Sequence, residues 1–481
     1  MITTFITLLV IYIVVGTIIA LVSRRFGVKT SAEYFVAGYR LGGFLASMTY
    51  AATTYSAFMM VGLVGYAYAT GVGSLGFELA YLLSTIVLLA IFAPRVWLMA
   101  RNRRWVSPSE MISDLYDSRL LGMVIAVLYL IALVPYISAQ MIGIGSIFEG
   151  IGVGYLTGVL VAAILIFMWI AIAGIWSVAS TDAYQGLWMI LAALTYVTWL
   201  SLYLLPAADL DINRVSEILG KIGMLGITKF WSLPTFIAFT LPWLFFAITN
   251  PQVVQRLYMP KSEKSLKRLV QYFAIYGFMY TIIVVLVGLL ARALSESGFI
   301  PMITNRDLVT PTLLLLAHPL LASFIYVSIV AAAVSTANSI ILSVASSFVR
   351  DFYERRVKVV NHKISMLISL CIVTSLIVIA SLVAYFRPGF IVELSVLSSV
   401  ILLPLAPLTI MGWILGNVRK VRIEALTSLL AGSIIALSAA VIYGPKKSFI
   451  TTWIGLPISA WVLIISTVIL LIGIIRSKYL S

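Results

Sequence analysis

The sequence predicts an all-α polytopic membrane protein of about thirteen transmembrane helices, and three observations lead there. Of its 481 residues, 62% are hydrophobic and only 10% charged, whereas a soluble chain carries about 25% charged residues. Apolar runs repeatedly reach the roughly 20 residues that cross a bilayer. So much apolar surface also exceeds what a soluble core, limited to about 250–300 residues, can enclose. Lipid is therefore the expected solvent for most of the chain.

Taken in order, the spans are expected near residues 2–22, 41–68, 75–100, 119–147, 152–175, 182–205, 232–250, 269–295, 319–349, 363–386, 390–416, 422–443 and 453–476. The first run has no basic residue ahead of it and is followed by Arg24, Arg25 and Lys29. A secretory signal has the reverse order, so this run reads as a retained span with its N-terminus outside. Of the 32 Lys and Arg, roughly three in four fall in alternate loops, the bias expected of cytoplasmic segments. An odd number of spans then leaves the C-terminus cytoplasmic, in a cell membrane. The same bias explains the net charge of +15 without nucleic acid. The basic loops 251–268 and 350–363 read as topology signals and anionic-lipid contacts. Outside lie two polar gaps, 206–231 and 296–318, the first with the helical spacing of a surface helix from Asp209 onward.

Cofactor chemistry finds little support. A single cysteine, Cys371, leaves no disulfide framework, and both histidines, His318 and His362, sit at span edges, against haem or copper. No cofactor is expected.

In lipid, ionisable or non-helical features are costly and mark the places to look for function. The second span carries Ala51-Ala52-Thr53-Thr54-Tyr55-Ser56 followed by Gly62 and Gly65, a pattern that suits either close helix packing or a break with inward carbonyls. In the seventh, Pro234 and Pro242 flank Phe236–Thr240, and a mid-span proline leaves a carbonyl unpaired. Two interrupted spans at this separation are what an inverted-repeat transporter requires. On the ninth, Ala332, Ser335 and Thr336 stand at i, i+3 and i+4 on one face. Two hydroxyls and nearby carbonyls suit a hard cation, or else hydrogen-bond their own helix. Glu78 is the deepest carboxylate, a substrate or proton candidate; Asp182 opens the sixth span as a functional acid or an N-cap; Glu393 reads as solvated. No Lys or Arg is expected in mid-span.

These residues resemble the sodium/solute symporters, a family of sodium/proline, sodium/galactose and sodium/pantothenate carriers. The resemblance runs from about residue 30 to 420. It is carried by Ala32–Gly42, by Ala171–Gly186 with Trp176 and Ser180-Thr181-Asp182, by Asn250-Pro-Gln252 to Arg256, and by Ala331–Ser339 running on to Asp351-Phe-Tyr353. It implies a leucine-transporter-like fold in one transmembrane domain. Residues 1–40 would form an extra span and loop, 41–205 the first repeat, 206–416 the inverted second repeat, and 417–481 two further spans.

The resemblance further implies a sodium site from the carbonyls of Ala52, Tyr55 and Ala332 and the hydroxyls of Ser335 and Thr336, with Asp182 on the sodium exit path. Ser56, Tyr136 and Trp243 match substrate-pocket residues of the proline branch, and Glu78 a hydroxyl-binding glutamate of the sugar branch. The other sugar-binding positions read Thr54, Met59, Trp243 and Phe278. A sugar needs many hydrogen bonds that Met and Phe do not supply. The proline branch's acidic residue in the second span is Thr54 here, which removes a formal charge.

The expected function is therefore import of a small organic solute, an amino acid such as proline or a small carboxylate, by sodium symport. Its partners are the solute, sodium and the bilayer. Proton coupling through Glu78 or Asp182 is the alternative within the class; a membrane subunit of an ion-pumping complex, or a membrane sensor, lies outside it. No enzymatic activity is expected, since neither histidine is placed to act as a base.

Overall fold

A computed structural model of the chain describes residues 1–26 and 29–479. Among the described residues, eleven helices are long and apolar enough to cross a membrane, and a bent pair, Ile391–Leu402 with Leu405–Leu415, makes a twelfth crossing. One more comes from two short helices, Gly43–Thr54 and Phe58–Thr70, neither long enough alone. The total matches the thirteen expected.

The first span is Ile2–Phe26 and the second is the interrupted pair; then come Gly73–Arg103, Arg119–Gly150, Tyr155–Ile172, Gly174–Ala207, Leu233–Arg256, Glu263–Glu296, Pro319–Glu354 and His362–Phe386. The bent pair is the eleventh, and Arg419–Tyr443 and Ile458–Ser477 complete the bundle. The ninth span forms its axis, packing on the first, fourth, fifth–sixth and tenth spans and on the first half of the second. Its run Val327–Ser347 is largely Ala, Ser and Val, and without a hydrophobic drive between helices in lipid, small side chains allow the close approach that holds them together. Lipid-facing positions instead carry Leu, Ile and Phe, such as Leu83, Ile164, Leu202 and Phe386.

Several expectations are corrected. The sixth span begins at Gly174, not near 182, because Gly174 has φ 55° and turns one span into the next with almost no loop. Asp182 therefore lies two turns inside a helix, fully buried, and is no N-cap. Arg256 does not sit in a basic loop: it closes the seventh span inside the bundle, 0% exposed. Glu393 is not solvated but is buried in an ion pair with Arg306. Phe278, expected at a sugar-binding position, is 54% exposed on the outer face of the eighth span. Before the last span, residues 452–457 form a two-stranded hairpin rather than a helix.

Buried ion pairs tie segments together at both ends of the bundle. At the basic end Arg350 pairs with Glu110 and Glu354, while Asp351 accepts from Ser109 at 2.5 Å. At the opposite end the Arg306–Glu393 pair ties the 296–318 segment to the eleventh span, with the Arg306 guanidinium 4.7 Å from the Tyr66 ring. The surface helix expected beyond Asp209 is present as Ile212–Lys221; it buries Val215 and Leu219 and packs on the eighth span.

Candidate functional site

The second span breaks because Tyr55 leaves the helical region at φ −92°, ψ 107°. Thr53, Thr54 and Tyr55, β-branched or aromatic, hold a helix less well than Leu or Ala. The broken ends do not lack partners. Ala57 N–H donates to Gln140 Oε1 at 3.1 Å and Phe58 N–H to Ser56 Oγ at 3.1 Å. Gln140 in turn donates from Nε2 to the Tyr136 carbonyl at 3.2 Å, so the fourth span caps the second half-helix. Nothing in the sequence pattern singled out Gln140, since a lone glutamine in an apolar run shows no spacing.

The ninth span meets this break. Ser335 Oγ donates to the Ala52 carbonyl at 2.8 Å and lies 3.0 Å from the Ala332 carbonyl. Thr336 Oγ1 stands 3.2 Å from the carbonyls of both Ala52 and Thr53. Thus Ala52, Ala332, Ser335 and Thr336 are brought together, with Tyr55 at the break beside them. A hard cation with six oxygens at about 2.3–2.6 Å spaces neighbouring oxygens at about 3.3–3.7 Å. The oxygens here are a few tenths of an ångström closer, as expected where hydroxyl protons fill the space between them. The set contains no carboxylate.

One turn further along the ninth span a buried polar network continues. Thr53 Oγ1 and Ser339 Oγ are 2.8 Å apart, and Ser339 accepts from Arg256 Nη2. The same Nη2 is 3.7 Å from Asp182 Oδ2, which also accepts from Thr49 Oγ1 at 2.6 Å. Asp182 and Arg256 thus neutralise one another where neither touches solvent. An unpaired charge at that depth costs several kcal/mol. Sequence reasoning missed Arg256 because a basic residue at the end of a span reads as a topology signal.

A cavity opens on the other side of the break, lined by Thr54, Phe58, Met59, Glu78, Tyr81, Tyr136, Trp243 and Phe246. Glu78, Tyr136 and Trp243 are therefore brought together as expected, while Ser56 sits just behind, its hydroxyl holding the Phe58 N–H. The Trp243 ring lies 4.8 Å from Phe246, 5.6 Å from Phe58 and Tyr81, and 6.4 Å from Tyr136. Trp243 reaches this position because the seventh span stops being helical at Phe245 (φ −101°, ψ 3°) and again at Asn250. The interruption follows Pro242 by three residues. Measured for the centre of a water-sized sphere, the cavity holds about 10 Å³, room for one water. Among the described residues no group of three or more His, Cys, Asp or Glu stands ready for a transition metal.

Two interrupted helices, hydroxyls converging on a carbonyl at one break and an aromatic cavity beside it, fit a secondary transporter of the broken-helix class. The chain belongs to the sodium:solute symporter family, whose model matches residues 34–412. It is 28% identical over 335 residues to the sodium/pantothenate symporter of Haemophilus influenzae, covering 67% of this chain and 66% of that relative. To the sodium/proline symporter of Staphylococcus aureus it is 21% identical over 365 residues, 72% of this chain and 68% of the relative. In fold it resembles a Na+-coupled sialic acid symporter with a TM-score of 0.81 at 18% identity, covering 99% of this chain and 97% of that one. The nucleobase-cation-symport transporter Mhp1 follows at 0.59 and 12% identity, covering 94% and 96%. These relatives are transporters rather than enzymes, and the fold they share is leucine-transporter-like.

Proposed function

We propose that this chain imports a small organic solute, an amino acid such as proline or a small carboxylate, by symport with sodium through alternating access. The observation that carries the reading is the convergence of the Ser335 and Thr336 hydroxyls on the Ala52 carbonyl at a helix break, with the aromatic cavity on its other side. Sodium is held by the carbonyls of Ala52, Tyr55 and Ala332 and by those two hydroxyls, joining the second span to the ninth. The solute enters beside Glu78 and Ser56, between Tyr136 and Trp243, and favours closure of the outer path. Low internal sodium then empties the ion site past Asp182. Each ligand shifts the equilibrium only by its differential affinity for the two states, and a coupling of about 1–3 kcal/mol is the usual range.

The protein is a multi-pass membrane protein. In this reading it lies in the cell membrane with the N-terminus outside and the C-terminus cytoplasmic, residues 41–205 and 206–416 forming the two repeats.

Melting of the purified protein with amino acids, carboxylates, vitamins and sugars, each in sodium and in potassium, tests the reading. A solute that raises the melting temperature only in sodium is the expected result, by mass-action linkage. A shift of equal size in both salts contradicts sodium coupling and moves attention to protons at Glu78 or Asp182.

A further inference from the structure

Glu78 is the one acidic residue of the cavity wall. It is 3% exposed, and the cavity is lined by no Lys, Arg or His. Among the described residues it belongs to no ion pair, and no group donates a hydrogen bond to it. Every other buried carboxylate discussed above, at Asp182, Glu110, Glu354, Asp351 and Glu393, has an arginine beside it. A buried carboxylate in a membrane interior is tolerated only when something neutralises it. At Glu78 no side chain among the described residues does so, which leaves either a proton on the carboxyl in the empty cavity or a cation brought by the ligand.

The rest of the wall says what chemistry fits. Five of the lining residues are aromatic: Phe58, Tyr81, Tyr136, Trp243 and Phe246. Ring faces within about 6 Å attract a cation, most strongly when it is desolvated. A solute whose only charge is negative offers the Glu78 carboxylate no counter-charge and gains nothing from the ring faces. Beside the rings, three buried donors have no partner among the described residues: Thr54 Oγ1, Tyr81 O–H and Trp243 Nε1. Orphaned buried donors cost about 1–3 kcal/mol each, so a ligand acceptor that takes them is favoured. The wall thus presents a lone carboxylate in an aromatic cage and, next to it, a cluster of free donors.

We infer that the solute is a small zwitterion, its positively charged nitrogen held by Glu78 within the cage of Tyr81, Tyr136, Trp243 and Phe246, and its carboxylate received by Thr54, Tyr81 and Trp243. The inference rests on the symport reading above and narrows it, excluding free carboxylates and sugars. The solute is small, and the rings move apart to admit it, since the closed cavity has room only for about one water.

The test uses the full chain, purified in sodium, and a matched set of compounds: proline, alanine, glycine and trimethylglycine as zwitterions, cyclopentanecarboxylate as the deaminated isostere of proline, and galactose. Melting shifts and quenching of tryptophan fluorescence read binding. At least one zwitterion is expected to bind, with cyclopentanecarboxylate and galactose at least about tenfold weaker. Glu78→Gln is expected to weaken the zwitterion about tenfold or more while keeping the melting shift produced by sodium alone, which shows that the variant is folded. Glu78→Asp should recover part of the loss. The inference is overturned if the carboxylate or galactose binds more tightly than every zwitterion, if no zwitterion binds, or if Glu78→Gln binds as wild type does. Uptake of the same compounds into vesicles separates the two levels. A zwitterion that binds but is not driven by a sodium gradient overturns symport and leaves the recognition standing, whereas sodium-driven uptake of a neutral or anionic solute overturns the recognition alone.

Discussion

Ser335 and Thr336 direct their hydroxyls at the same carbonyl, that of Ala52, so either can serve as an ion ligand or as a packing hydrogen bond. The two roles separate by mutation. Ser335→Ala and Thr336→Ala are each expected to raise the sodium concentration for half-maximal uptake about tenfold, the effect of removing one ligand to a charged group, with expression unchanged. Uptake assays at varied sodium check this, and an unchanged dependence in both variants returns the residues to packing. A second residue reports on the end held by Arg306 and Glu393. Asp307 is buried beside Arg306, Glu393 and Lys446, and accepts from the Ile391 N–H at 3.2 Å. Burial, only partly offset by Arg306 and that N–H, pushes its carboxyl up to about 6 from an ordinary 3.8. The folded state therefore binds the proton more tightly than the unfolded chain does. The stability this brings is complete below about 4 and is lost as pH rises through about 6, a change on the order of 1–3 kcal/mol. Melting curves of the wild type between these pH values should fall relative to those of Asp307→Asn; parallel curves would refute it. At this scale the convergence of Ala332, Ser335 and Thr336 was legible because they share a helical face. Gln140 and Arg256 were not, because their partners, Ala57 and Ser339, each lie 83 residues away in sequence rather than at any helical spacing.

At the scale of elements, thirteen spans were readable from apolar run length, whereas the small and hydroxyl residues of the second span fitted close packing as well as a break. The seventh break was marked by Pro242 but fell three residues later, at Phe245, since a proline weakens the helix without dictating which residue leaves it. The joint between the fifth and sixth spans was hidden, because hydropathy runs through it unbroken. Gly174 makes that joint: its φ is 55°, and a Cβ there would lie 2.6 Å from both the ring and the carbonyl oxygen of Tyr34. Gly174→Ala should therefore destabilise the bundle by about 2 kcal/mol or more, from left-handed strain plus overpacking. It would be seen as a lower melting temperature; an unchanged one would mean that the joint does not depend on glycine.

For the whole molecule, ion pairs hold both ends of the bundle at once. Arg350 with Glu110 and Glu354 ties the basic end, and Arg306 with Glu393 ties the other, while the converging oxygens and the aromatic cavity lie between. Under the alternating access proposed above, each of these ion-pair clusters would have to open in turn. The fold and the family were legible in the sequence, through span count, paired breaks and four local patterns. The ion-pair clusters were not, since each joins segments that are distant in the chain, and Glu393 alone looks like an exposed acid at a helix start. The central claim, sodium-driven import, is tested most directly by uptake of radiolabelled zwitterions into vesicles containing only the purified chain. Accumulation above equilibrium under an inward sodium gradient, lost when potassium replaces sodium, is the expected result. Accumulation that is equal in potassium, or driven by a pH gradient alone, would contradict it.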